Sequence, residues 1–168
     1  MSEKIDFHFK SPEDSPGYLL GQLTLLWQRD QKRALDPLDL THTQFIVMAA
    51  LAWLSRKSDT VTQIDIANQG NADRMMVSKV VQTLEGKKFI TRHEHPTDTR
   101  ATIIRLTATG AKVLQEAIIT VEKVDLEFFL PWAQTYQHLI SPWRNKLQRT
   151  GTGNHTFKYI YHDNNRQQ

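Results

Sequence analysis

Between Asp73 and Thr107 the chain changes its hydrophobic period from helical to strand-like within a short span, and no other stretch restricts the fold as much. Val77, Val80, Val81 and Leu84 recur three and four residues apart, which places them on one buried stripe of a helix opening at Asp73. Arg74, Ser78, Lys79 and Gln82 fall largely on the opposite side. Two β-branched-rich runs of strand length follow, residues 89–94 and 101–106, joined through His95, Pro96, Thr97, Asp98, Thr99 and Arg100. Pro96 cannot donate to a ladder and belongs in the connection, where Thr97 and Asp98 can bond nearby amides. Asp98 stands two residues from Arg100 and can orient its guanidinium through charge-assisted hydrogen bonds. The pattern predicts a helix and a β-hairpin with a basic tip. The outward helix face has two readings: a solvated surface, or a set of side chains that bond phosphates and base edges in a major groove. An oriented Arg on a protruding hairpin suits a narrow, electronegative minor groove and favours the second.

The preceding chain extends this pattern. Thr62 with Asp65 has capping-box spacing and opens a short helix through Ile64, Ile66 and Ala67 that runs out near Gln69-Gly70. A short Gly-containing turn then leads into the helix after Asp73, a helix-turn-helix order in which the second member enters the groove. Thr41 with Gln44 is a second capping box, starting a helix with Phe45, Met48, Ala49, Leu51 and Ala52 on its apolar positions. Upstream, Leu19, Leu20, Leu23, Leu26 and Trp27 give residues 18–35 a broad apolar face, closed by Asp36-Pro37. Downstream, Thr107 is the expected N-cap of a long helix carrying Leu114, Ala117, Ile118, Val121, Val124 and Phe128 and ending near Pro131. That face is longer than a small hairpin module can cover, which points to association with another chain. The fold class is mainly α with a small β-hairpin, α+β. Short helices are expected over residues 132–140 and from Ser141-Pro142, with Pro at the first helical position. A joint at residues 150–154 precedes an aromatic tail, which reads as an added strand or as a loose terminus.

At 168 residues, with 39% hydrophobic and 23% charged, the composition is that of a folded domain with extensions. A net charge of +3 does not locate the basic residues, but residues 74–105 hold Arg74, Lys79, Lys87, Lys88, Arg92, Arg100 and Arg105 against Glu85, Glu94 and Asp98. The chain has no cysteine, which excludes disulfides, thiolate metal sites and thiol redox sensing. The first residues lack the apolar core of a secretory signal and no run approaches a membrane span, so a cytoplasmic protein without a membrane partner is expected. On that expectation the glycosylation pattern at Asn154 is accidental. No Gly-rich phosphate loop, nucleophile elbow or HExxH is present, so neither catalysis nor a cofactor is expected. His93 and His95 flank Glu94 at weak metal-site spacing and are better read as exposed hairpin residues, with no metal expected. His42 is expected on the surface of a first helical turn, His138 could face a dimer core or solvent, and Met75 and Met76 suit packing or thymine-methyl contacts.

Taken together, Leu40-Thr41 with Gln44-Phe45, the run from Thr62 to Ala67, Ser78-Lys79, Leu84-Glu85 before Phe89-Ile90, the hairpin with Asp98-Thr99-Arg100, and Leu106 to Gly110 resemble the MarR family of winged-helix transcriptional regulators over residues 19–130. The resemblance implies a winged helix-turn-helix with N- and C-terminal dimerisation helices. Its expected parts are an arm and dimerisation helix at 1–40, a DNA-binding domain at 41–107, dimerisation helices at 108–149 and a tail at 150–168. The function implied is a homodimer that binds double-stranded DNA by sequence, in most cases a repressor, through Arg74, Ser78, Lys79, Gln82, Asp98 and Arg100. The family's small aromatic or anionic effectors would correspond here to a cleft near Trp27, Arg29, Met48 and Trp53; the alternative is core aromatics plus one solvated Arg. A family branch that senses peroxide through a reactive Cys is excluded. Two departures stand out: the helix break after Pro131, and Lys88 where the family usually has Gly, with Gly86 expected to relieve that turn instead. The competing function is a winged-helix interaction module that binds protein, or nucleic acid without sequence choice.

Overall fold

The structure, a computed structural model, describes residues 5–94, 97, 101–132 and 146. Its elements run α1 (Pro16–Leu35), α2 (His42–Leu54), α3 (Gln63–Gly70), α4 (Arg74–Gly86), β1 (Ile90–Glu94), β2 (Thr102–Leu106) and α5 (Ala108–Phe129), with short 3₁₀ turns before α1, before α2 and after α5. The fold class is the one expected, helical with a single antiparallel hairpin in which Ile90 faces Leu106 and Glu94 faces Thr102. The expected C-terminal helices beyond residue 132, His95, His138, the joint and the tail lie outside the described residues.

Local chemistry sets the helix starts. Both expected capping boxes form: Thr41 Oγ1 accepts from the Gln44 amide at 3.2 Å while Gln44 Oε1 accepts from the Thr41 amide at 3.1 Å, and Thr62 with Asp65 repeats the exchange. Asp73 caps α4 by accepting from Met76 N at 2.9 Å, and Thr107 caps α5 by accepting from Gly110 N.

Helix ends follow one rule as well. Asp39, Asn71 and Lys88 are the described non-glycine residues with positive φ, and each follows a helical segment. In each case the next amide reaches five residues back: Leu40 N to Leu35 O, Ala72 N to Ala67 O, and Phe89 N to Leu84 O. Each is a Schellman stop. Asp and Asn tolerate this conformation well, whereas Lys adopts it against a steric penalty. The expectation that Gly86 would relieve the turn is corrected here: Gly86 is the last residue of α4, and Lys88 itself turns at φ 60°. Likewise the turn before α4 is made by Asn71, with Gly70 still helical.

The core gathers one face of each element. Leu35, Met48, Leu51, Ile66, Val77, Val81, Leu84, Ile90, Ile104 and Ala117 are buried, with Val80 packed partly against them. A further pairing was not legible in the sequence: Thr62 bridges Ile103, and Ile104 donates to Val61 O at 2.8 Å, so the segment entering α3 borders the hairpin as a third strand-like edge. Gly110 fixes α5 against the root of β1. A Cβ there would stand 1.9 Å from the Phe89 carbonyl oxygen, which accepts from the Thr107 amide at 3.0 Å.

Candidate nucleic-acid interface

Helix α4 packs on α2, α3 and β1 through Val77, Val81 and Leu84. The opposite stripe therefore faces outward by geometry: Arg74, Lys79 and Gln82 are exposed, Ser78 is half-buried and Met75 is 68% exposed. No described carboxylate pairs with Arg74 or Lys79. Met76 turns inward and packs on the core, so the two methionines divide the roles of packing and outward contact.

The basic surplus counted over residues 74–105 shrinks once partners are assigned. Lys87 pairs with Asp39 Oδ1 at 2.9 Å, and Arg92 pairs with Glu85 at 2.5 Å. The Glu85 hydrogen bond raises the pKa of Arg92, and the pair ties the first hairpin strand to the end of α4. Arg105 reaches the Asp59 carbonyl. Arg74, Lys79 and Lys88 remain as exposed cations on or beside α4. The hairpin tip with Asp98 and Arg100 lies outside the described residues. His93 is exposed with Nε2 2.9 Å from Thr91 Oγ1, and among the described residues no three His, Asp or Glu are grouped to hold a metal.

The residues expected around an effector do not converge. Met48 is fully buried and Arg29 is exposed. Trp27 stands edge-on to His42, the first residue of α2, at 4.9 Å, whereas Trp53 lies at the far end of the same helix with Arg56 over its ring. Eleven residues at 1.5 Å of rise separate those two points by roughly 16 Å. A recess of about 420 Å³ between α1 and α5 is lined by Asp30, Arg33, Ala34, Val124, Glu127 and Phe128, none of the four.

A polar junction that sequence reasoning missed lies beside Trp27. Trp27 Nε1 and Gln31 Nε2 both donate to Asp125 Oδ1 at 2.7 Å, joining α1 to α5. Gln31 is fully buried, and its Oε1 has no partner among the described residues. Burial pushes the Asp125 carboxyl above its usual range, while the bonds from Trp27 and Gln31 pull it back. Glu122, one turn earlier, is raised by burial and by the neighbouring Asp125. His42 is half-buried rather than on the surface, and burial lowers its pKa. A signal existed in the sequence: Asp125 is a carboxylate directly after Val124, one turn beyond Val121 on the apolar stripe of α5.

A helix pair with an outward basic face, followed by a two-stranded wing, defines the winged helix-turn-helix class of DNA-binding proteins. The MarR family pattern matches residues 40–102. The chain is 42% identical over 121 residues to the uncharacterised HTH-type transcriptional regulator YdcH of Bacillus subtilis (strain 168), covering 72% of this chain and 82% of that protein. Among solved structures, S. aureus MepR in complex with DNA superposes with a TM-score of 0.70 at 23% identity, covering 81% of this chain and 98% of that one. CouR of Rhodococcus jostii RHA1, bound to p-coumaroyl-CoA, gives 0.71 at 20% identity, covering 87% and 98%. The chain belongs to the MarR family and is a transcriptional regulator that binds DNA, not an enzyme. Among the described residues no helix is long and apolar enough to cross a membrane.

Proposed function

We propose that the protein acts as a homodimer that reads a pseudo-palindromic DNA site, with repression by occupation of promoter DNA as the simplest regulatory consequence. One observation carries the reading: the helix that closes the core with Val77, Val81 and Leu84 turns Arg74, Ser78, Lys79 and Gln82 outward beside a wing. MepR, similar in fold, is solved as a DNA complex. Arg74 and Lys79 suit phosphates, Ser78 and Gln82 suit base edges, and Arg100, which the sequence spacing pairs with Asp98, is assigned to the minor groove.

Dimerisation is supported by what α1 and α5 leave uncovered. Leu19, Leu20, Leu23, Leu25 and Leu26 on α1, with Ile119 and Leu126 on α5, are exposed although the two helices pack together. An apolar surface of this extent on adjoining helices is what a second copy would bury. Two copies would then present their α4 helices to half-sites about one DNA turn apart, roughly 34 Å.

An organic effector is the third part of the reading, supported by CouR, which was solved with p-coumaroyl-CoA. Of the four residues expected to line its cleft, Trp27 has the position that fits, at the junction of α1, α2 and α5 beside His42. An effector would act by favouring one separation of the reading helices over another. Stabilisation by aromatic acids in a thermal-shift screen, coupled to weaker DNA binding, is the expected result.

The direct test is selection of bound duplexes from random DNA, followed by fluorescence anisotropy at fixed salt. A recovered pair of half-sites and a clear preference over random sequence are expected. Arg74→Ala and Arg100→Ala should each weaken binding by about 1–3 kcal/mol. Equal affinity for selected and random duplexes would replace this reading with a nonspecific module.

A further inference from the structure

Lys87, the C-cap that follows the last residue of α4, takes no part in the outward basic face. Its ammonium donates to the Asp39 carbonyl oxygen, pairs with Asp39 Oδ1 at 2.9 Å and donates to Gln44 Oε1 at 3.2 Å. These contacts use the three donors of a lysine. The side chain is 22% exposed, against 77% for that of Asp39, so the stem is covered while the pair sits at the rim.

The partners matter more than their number. Asp39 is the left-handed residue at which the chain leaving α1 turns toward α2, and Gln44 is the side chain that closes the α2 capping box. One ammonium thus joins the end of the arm, the start of the scaffold helix and the end of the reading helix. Helix α4 is about 20 Å long at 1.5 Å per residue, so a small tilt at its Lys87 end becomes a displacement at Arg74 and Ser78.

We propose that Lys87 is a positioning residue for DNA reading, fixing the pitch of α4 relative to α1 through Asp39 and Gln44 without touching DNA. The assignment rests on the reading of α4 as the recognition helix. A residue that only neutralised the C-terminal end of α4 would not need both Asp39 and Gln44, since the helix dipole acts on any nearby cation.

The test compares Lys87→Met, which keeps the stem and removes the donors, with the full-length wild type on the best selected duplex and on random DNA, across a salt series. Lys87→Met should bind the selected duplex about tenfold more weakly and random DNA equally well, with an unchanged slope of log affinity against log salt. Asp39→Gly, which keeps the left-handed turn and removes the carboxylate, should show the same selective loss, and Lys87→Arg should recover most of the preference. The double variant Lys87→Met/Asp39→Gly should be no worse than the weaker single, as expected of groups acting as one unit. A salt slope reduced by about one would make Lys87 a phosphate contact and overturn the assignment. So would equal losses on selected and random DNA, or undiminished preference in both single variants. If Lys87→Met fails to fold, Asp39→Gly carries the same comparison. Wild-type protein without any preference would instead overturn the recognition-helix reading, a distinct outcome that takes this assignment with it.

Discussion

Helices α1 and α2 are both rich in large apolar residues, yet they meet opposite fates. Along α2, Phe45, Val47, Met48, Ala50 and Leu51 are all buried within the chain. Along the longer α1, Gln31 and Leu35 alone are buried, while the leucines from Leu19 to Leu26 stay exposed. The difference lies in the neighbours: α2 is enclosed by α1, α3, α4, α5 and β2, whereas among the described residues α1 packs chiefly on α5 and more lightly on α2 and the turns that flank it. The reading module buries its apolar faces within the chain, with Leu35 of α1 and Leu114, Ala117 and Val121 of α5 completing the core. The arm pair leaves leucines of α1 and Ile119 and Leu126 of α5 exposed, the surface assigned above to a second copy in the proposed dimer.

The sharpest way to break this contrast is to charge the arm. Leu20→Glu should disrupt a symmetric pair twice over, at about 4 kcal/mol in total and close to a thousandfold in dissociation constant, checked by sedimentation equilibrium. The circular dichroism of the reading module should barely change; loss of the fold instead would show that the arm stabilises the module from within one chain.

Next in size is the joint between module and arm. Gly110→Ala places a methyl against the Phe89 carbonyl and should destabilise the chain by about 3 kcal/mol in urea denaturation. A neutral result would mean that α5 can slide on the hairpin root, and that the two regions are less firmly joined than the packing indicates.

The Trp27–Gln31–Asp125 junction sharpens the comparison through pH. Its carboxyl is raised in the folded protein, so the folded state holds the proton more tightly than the unfolded chain. The corresponding stability is present below the unfolded carboxylate value and is lost as pH rises through the folded one. Asp125→Asn removes that loss, so its melting temperature relative to wild type should climb as pH rises from the ordinary carboxylate range through the raised folded value. A constant difference across that range would show that Asp125 titrates as in the unfolded chain.

The smallest effect belongs to the module. Lys88→Gly relieves a left-handed residue but adds unfolded-state entropy, for a net gain of about 0.5 kcal/mol measured by thermal unfolding. Destabilisation instead would mean that the Lys88 side chain contributes packing or charge that outweighs its backbone conformation.

Much of the module was legible because its signals are local. Thr41 with Gln44, Thr62 with Asp65, Asp73 and Thr107 each satisfy helix-end amides within three residues, and those starts appear where expected. The outward face of α4 was legible for the same reason, since helical period alone separates Arg74, Lys79 and Gln82 from Val77, Val81 and Leu84. Charge assignment was not. Lys87 and Arg92 entered the count as part of a basic patch, and only their neighbours Asp39, Gln44 and Glu85 turned them into internal ties. Nor was the spacing of the tryptophans: Trp27 and Trp53 look alike in sequence, yet one packs beside the start of α2 and the other lies near its end.

What the sequence determined by itself was the order of the elements, their caps and the side of each that turns inward, because those depend on hydrogen bonds and side-chain spacing a few residues long. The tertiary structure decided which polar groups meet: Lys87 with Asp39 across 48 positions, Asp125 with Trp27 across 98, and Val61 with the hairpin. Such encounters depend on how helices cross, and no periodicity within one segment encodes the charge or hydrogen-bonding partner that another segment will bring beside it.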